Sequence, residues 1–224
     1  MQENKFREGI VKKIADTIAV DPEDIIDDAQ EFGIQVSEFV DFKDPEKIKR
    51  HDIERLSRKY SNLAARYSAA SGAVTGAGSI ITVAALSVGD LGNLAAQLFR
   101  LNQRLAILHG FNPNNAIHHD KVLGFYLTAL GIDGIAQTGI RNMVAKAIAE
   151  DATKKGPAKA VGIRIIMEVV KLLGLSMTKN QAAKLVPFVG MGLGAGVNYL
   201  FAKKAAKNLM RSYRLDAQDR AEAP

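Results

Sequence analysis

The stretch "GAVTGAG" at Gly72–Gly78 decides how this chain is read, because it returns as "GMGLGAG" at Gly190–Gly196. Both copies follow G-x-x-x-G-A-G, and both lie inside long uncharged runs. A glycine in a helix interior costs about 1 kcal/mol relative to alanine. Several together make sense only where the bared backbone gains close packing, as in small-xxx-small helix contacts. A helix places Gly72 over Gly76 and Gly190 over Gly194, one turn apart. The alternation Gly190, Gly192, Gly194, Gly196 also has a period of two, but a strand would then carry a bare glycine face that packs poorly. The helical flanks decide for helix. Gly72, Gly76, Gly78, Gly190, Gly194 and Gly196 are therefore read as helix-packing residues, the two segments packing on each other or each making the same contact with a neighbour. Neither copy is a phosphate loop, which needs Gly-Lys-Ser/Thr where Ala-Gly stands here, and neither has the strand and acidic residue of a dinucleotide fingerprint.

Helix signals continue outward from these runs. "DPED" at Asp21 and "DPEK" at Asp44 each offer an Asp N-cap, a Pro at the first helical position and carboxylates in the first turn. Helices are predicted over about 3–19, 22–32 and 45–69, with an irregular joint at "EFGIQVSEFVDFKD". The third carries Ile53, Leu56, Tyr60, Leu63 and Tyr67 as its apolar stripe. Asp90 is expected as the N-cap of a helix from Leu91 to about His109, ended by Gly110. Further helices are predicted through "KVLGFYLTALG" and "IAQTGIRNMVAKAIAED", then from about Ala158 to Leu173, with "TKNQ" at Thr178 capping another. Pro187 interrupts that helix or begins the last one, which runs to about Arg214. The fold class is all-α: a charged N-terminal helical region over residues 1–65, a helical core over 66–214 with closely packed glycine-rich central helices, and a flexible tail over 215–224.

Composition supports this. Of 224 residues, 47% are hydrophobic, enough for a sizeable core, while only 6% are aromatic and Trp is absent. Without Cys there is no disulfide, thiol chemistry or Cys-ligated zinc. The net charge of +6 is unevenly spread: acidic from Asp21 to Glu46 except at Lys43, basic in "KIKRHDIERLSRK" and "KKAAKNLMRSYR". A nucleic-acid groove would add stacking aromatics, which are missing, so no nucleic-acid partner is expected. The N-terminus lacks the apolar core of a secretory signal, and the expected location is cytoplasmic, at the inner face of the membrane. From Tyr67 to Gly89 no formal charge occurs. This run is long enough to cross a bilayer, yet it is dominated by Ser, Thr, Gly and Ala rather than by Leu, Ile, Val and Phe. Membrane insertion and a buried hairpin in a soluble core both remain open.

Polar residues within the apolar helices are the candidates for chemistry. Asn93, Gln97, Arg100 and Arg104 fall at steps of four, three and four and share one helix face. A solvated face is the plain reading. If the face turns inward, the arginines need a carboxylate, a phosphate or a helix C-terminus, and an anionic headgroup held by both is the sharper one. Asn198, in "GVNYLF", needs a partner, and a helix-to-helix hydrogen bond is expected. The anion-binding set is thus Arg100, Arg104 and Gln97, with Asp90 and Asn198. Adjacent His118 and His119 diverge by about 100° on a helix and have no evident third ligand, so no metal is expected. His51, in a basic exposed helix, is surface polarity of the same kind. No catalytic residue and no cofactor emerge.

The run "GAVTGAGSIITVAALSVGDLGNLAAQLFRLNQRLAILHGFNP", with "LVPFVGMGLGAGVNYLFAKKAAKNLM" far downstream, resembles the EcsC family. The features are a Gly-rich apolar segment, Asp90, a helix carrying Arg100 and closing on an aromatic-Gly pair at Gly110, then Pro187, Gly190 and Asn198. The likeness covers roughly Arg66 to Arg211, with His109 standing where an aromatic is expected. It implies a mostly helical bacterial protein, of a family named for a gene beside an ABC transporter; it implies no reaction. The expected function is a non-enzymatic, membrane-associated accessory or scaffold protein whose basic helices contact anionic lipid. Its partners would be an anionic membrane surface and a membrane protein. The alternatives are a soluble helical carrier of a lipid or small apolar anionic ligand, and an unrecognised enzyme.

Overall fold

The computed structural model describes residues 2–75, 88–111, 116–151, 158–184 and 193–222. Among them the regular elements are helical: α1 (Gln2–Thr17), α2 (Pro22–Glu31), a 3₁₀ turn (Phe39–Lys43), α3 (Arg50–Thr75), α4 (Val88–Leu108), α5 (Ala116–Ala129), α6 (Gly134–Asp151), α7 (Ala158–Lys184) and α8 (Leu193–Glu222). The all-α reading holds.

Local chemistry sets several boundaries. Asp21 caps α2 as its sequence predicts, its carboxylate accepting the Glu23 amide at 3.1 Å, with Pro22 at the first position. Asp44 accepts the Glu46 amide at 2.9 Å in the same way, but the turn it caps does not propagate, and α3 begins only at Arg50. Between them, the irregular joint is tied by buried Asp41. Its carboxylate accepts the amides of Ser37 and Glu38, the Ser37 hydroxyl and the Lys47 ammonium. These donors, Lys47 foremost, hold the Asp41 carboxyl well below the usual carboxylate range. Gly110 ends α4 at φ +75°: its amide bonds to the Ile107 carbonyl and the Phe111 amide to that of Ala106, both at 2.9 Å. That pair of bonds needs a left-handed residue after the helix, which glycine adopts at little cost.

Helix α4 is the centre of the molecule. It packs against α1, α2, α3, α5, α7, α8 and the 3₁₀ turn. Leu94, Ala95, Leu98, Leu101, Leu105 and Leu108 are at most 1% exposed. These form a wide apolar stripe beside the polar one of Asn93, Gln97, Arg100 and Arg104, and each such leucine contributes about 1.5–3 kcal/mol. Helices α3 and α8 form the most extensive helix pair. They run antiparallel, since Arg214 reaches Glu54 at 3.4 Å while Lys203 bonds Asn62 at 2.8 Å. Small buried residues are frequent on both, Ser57, Ser61, Ala64, Ala65 and Ser68 on α3 and Ala202, Ala205 and Ala206 on α8, beside the larger Leu56, Tyr60, Leu209 and Tyr213. The expected contact between the two glycine segments themselves falls largely outside the described residues. Of the glycines assigned to packing, Gly72 lies in α3 and Gly194 in α8, while Gly76, Gly78 and Gly190 lie outside the described residues. Gly196 is exposed, and a Cβ built on it meets nothing within 4 Å among the described residues.

Several boundaries differ from expectation. Helix α3 passes residue 65 without a break, with Ala64 and Ala65 both buried. Helix α7 continues through Thr178 to Lys184 as one element. Asp90 is no N-cap: α4 starts at Val88, leaving Asp90 in its first turn, 5% exposed. The tail is helical to Glu222 because Asp216, also 5% exposed, pairs with Lys121 on α5 and with Arg220 at 2.9 Å. Pro187 and residues 112–115 lie outside the described residues, as do the side chains of His118 and His119.

Candidate anion site between two helices

The polar face of α4 turns toward α3 rather than to open solvent. Asn93, 8% exposed, donates to the Tyr67 carbonyl at 3.0 Å and so fixes the two helices side by side. Below it, a cleft of about 220 Å³ opens between the helices, lined by Tyr60, Leu63, Ala64 and Tyr67 of α3 and by Gln97, Arg100, Leu101 and Arg104 of α4. The sequence therefore placed Gln97, Arg100 and Arg104 together, and the fold gives them one cavity.

The two guanidinium groups are half-buried, one helical turn apart. Among the described residues neither pairs with a carboxylate, and the buried Nε atom of each has no hydrogen-bond partner. Arg104 is held by the Tyr60 ring, its guanidinium carbon 4.6 Å from the centroid. Burial, and then the like charge of Arg104, lower the affinity of Arg100 for its proton, a shift that Asp24 opposes. Tyr60 is 1% exposed, and burial, followed by the nearby Asp28 carboxylate, raises the phenol well above its ordinary range. The two adjacent cations repel one another, and Asp24 offsets this only in part, without a direct ion pair; a phosphate or carboxylate between them would relieve the repulsion and accept hydrogen bonds from both forks.

Asp90 and Asn198 do not line this cleft. Asn198 lies on α8 at 1% exposure, and neither side-chain atom has a partner among the described residues. Among the described residues the expected helix-to-helix hydrogen bond is not formed.

Other polar anchors had no recognised sequence signal. Asn102 on α4 donates to the Val122 carbonyl at 3.1 Å and takes the Tyr213 hydroxyl on its own side-chain oxygen at 2.9 Å. His109 stacks on Tyr213, centroids 5.2 Å apart and planes at 26°, so the imidazole does the work of the ring expected there. Burial, and then Arg220, lower its pKa to about 4, which leaves it neutral at physiological pH. A hydrophobic run ending in His-Gly-Phe hides this, since the stacking partner lies a hundred residues on.

Three groups of comparison bear on identity. The sequence model described as the EcsC protein family matches residues 3–215. The match begins well before Arg66, so the N-terminal helices are part of the family unit. No curated protein and no solved structure matches the chain significantly.

Proposed function

The chain belongs to the EcsC protein family, and from that premise we propose that it is a non-enzymatic accessory protein that holds an anionic lipid headgroup at a membrane surface, with Arg100 and Arg104 as the anion-binding pair. The observation that carries the reading is the pairing of two half-buried guanidinium groups, without a carboxylate partner among the described residues, at the wall of one cleft. Gln97 adds an amide donor beside them, and Tyr67, 56% exposed, stands at the mouth.

The outer face of α8 supports a surface location. Leu200, Lys204, Lys207 and Arg211 are exposed and recur at helical spacing. An apolar residue followed by three cations on one stripe suits a negatively charged bilayer surface, where each cation contributes about 1 kcal/mol. No helix among the described residues is long and apolar enough to cross a membrane, which favours surface contact over spanning by those elements. The proposed location is the cytoplasmic face of the membrane, beside a membrane-protein partner.

Fractionation of expressing cells tests the location. Membranes retaining the protein in low salt and releasing it in high salt support electrostatic surface binding. Retention through alkaline carbonate assigns the association to inserted segments instead. A protein found wholly in the soluble fraction, at low salt, contradicts the proposal.

A further inference from the structure

A second, larger cleft lies at the C-terminal end of α4. Its volume is about 570 Å³, within the range of about 300–1,000 Å³ typical of small-molecule sites. It is enclosed by the joint after the 3₁₀ turn, the start of α3, the end of α4 and the end of α8. The two clefts share no lining residue, although Arg104 of one and Leu108 of the other stand one turn apart on α4, about 6 Å along its axis.

The floor is apolar: Phe42, Ile48 and Leu108 are buried beneath it, and Met210 lines one side. His109 reaches the same cleft, neutral and stacked on Tyr213. The rim is cationic. Arg50, Arg214 and Arg220 line it together with Lys43. Glu54 is the carboxylate of the α3 wall, and it is shared among Arg50 at 3.8 Å, Arg58 at 3.9 Å and Arg214 at 3.4 Å. Asp44 is the second carboxylate of the lining, and Arg220 is already paired with Asp216 at 2.9 Å. Lys43, Arg50, Arg214 and Arg220 still outnumber the two lining carboxylates, and Arg50 and Arg214 keep donors that Glu54 alone does not fill.

We propose that this cleft binds a single-chain amphiphile with an anionic head, the chain lying over Phe42, Ile48 and Leu108 and the head meeting Arg214 and Arg50. Apolar floor and charged rim each account for one half of such a ligand. Long-chain carboxylates and lysophospholipids share this chemistry. The inference is independent of the anion pair between α3 and α4.

The probe is 11-(dansylamino)undecanoic acid, titrated into the full-length protein without vesicles and followed by fluorescence. The expected result is saturable enhancement with a blue shift, reversed by oleate or oleoyl lysophosphatidate at concentrations about tenfold or more below those needed for oleyl alcohol, which has the same chain without the charge. Displacement by oleate alone identifies a carboxylate ligand, and displacement by lysophosphatidate alone a phosphate one; both support the site. Ala217→Trp fills the cleft from the α8 side and is expected to weaken binding about tenfold or more, and Arg214→Gln by a similar factor. Circular dichroism checks that each variant is folded; should Ala217→Trp fail to fold, Arg214→Gln carries the test. Ile135→Ser, at a residue 90% exposed on α6, binds the probe like the wild type. Absence of saturable binding to the wild type overturns the inference. So does binding that survives the cleft variants, or that disappears with Arg100→Gln and Arg104→Gln, which would move the ligand to the other site.

Discussion

Replacing Asn198 with leucine is expected to stabilise this protein. Asn198 is 1% exposed on α8, and neither its amide nitrogen nor its amide oxygen finds a hydrogen-bond partner among the described residues. A buried polar group without a partner costs about 1–3 kcal/mol, and leucine repeats the branched skeleton of asparagine, with bulkier methyl groups that the neighbourhood of α8 must admit for the full gain to appear. Asn198→Leu removes that penalty and adds apolar burial, for a gain of about 1–3 kcal/mol. In a chain of this size each kcal/mol moves Tm by about 2–4 °C, so thermal denaturation followed by circular dichroism should rise by about 2–12 °C. Asn198→Ala separates the two contributions, since it also relieves the amide but leaves a cavity, and its Tm should fall below that of the leucine variant. A leucine variant less stable than the wild type would refute the reasoning and show that the amide is satisfied in solution. A stabilised variant that loses membrane association would mean that the unpartnered amide is kept for a ligand.

Other outcomes follow from the same contacts. His109 has its pKa depressed to about 4 against an ordinary 6.5; the unfolded chain therefore binds the proton more readily, and stability is lost as pH falls from about 6.5 toward 4, on the order of 2–3 kcal/mol by urea titration. His109→Phe should keep the stacking on Tyr213 and flatten that window, whereas the contribution of Asp41, another depressed group, is lost only below about pH 3.9. Gly110→Ala places a Cβ at φ +75°, 2.7 Å from Cγ of the flexible Lys43 side chain, and should cost about 1–2 kcal/mol in chemical denaturation. Gly33→Ala, at φ +78° with nothing within 4 Å, isolates the backbone part of that cost. Ala206→Leu, in the fully buried face between α3 and α8, should overpack the contact and lower stability by about 1–3 kcal/mol in the same assay.

What the sequence made legible was whatever is decided locally. Asp21 and Pro22 marked a helix start because the cap needs only the next two residues, and Gly110 marked an end because only its own φ is involved. The steps from Asn93 to Arg104 could be placed on one face because helical geometry alone relates them. Their direction was another matter: that face turned out to rest on Tyr60 and Tyr67, which requires knowing how α3 lies on α4. The helix start offered by Asp44 failed because Asp41 and Lys47 hold the joint more firmly than one cap can extend a helix. Tail order was hidden for the same reason, since Asp216 is fixed by Lys121 from a distant helix. The small residues Ser57, Ser61, Ala64, Ala65 and Ser68 recur at helical spacing and were readable in principle; glycine is the more conspicuous packing signal because, of these residue types, it carries the largest helix penalty for packing to offset.

The most direct test of the central claim is cosedimentation of purified protein with vesicles of neutral phosphatidylcholine, with and without an anionic phospholipid, for the wild type and the Arg100→Gln, Arg104→Gln double variant. The account predicts that the wild type pellets with the anionic vesicles and stays in solution with neutral ones, and that the folded double variant binds the anionic vesicles at least tenfold more weakly. Equal binding of the two proteins, or wild-type binding indifferent to lipid charge, would contradict it.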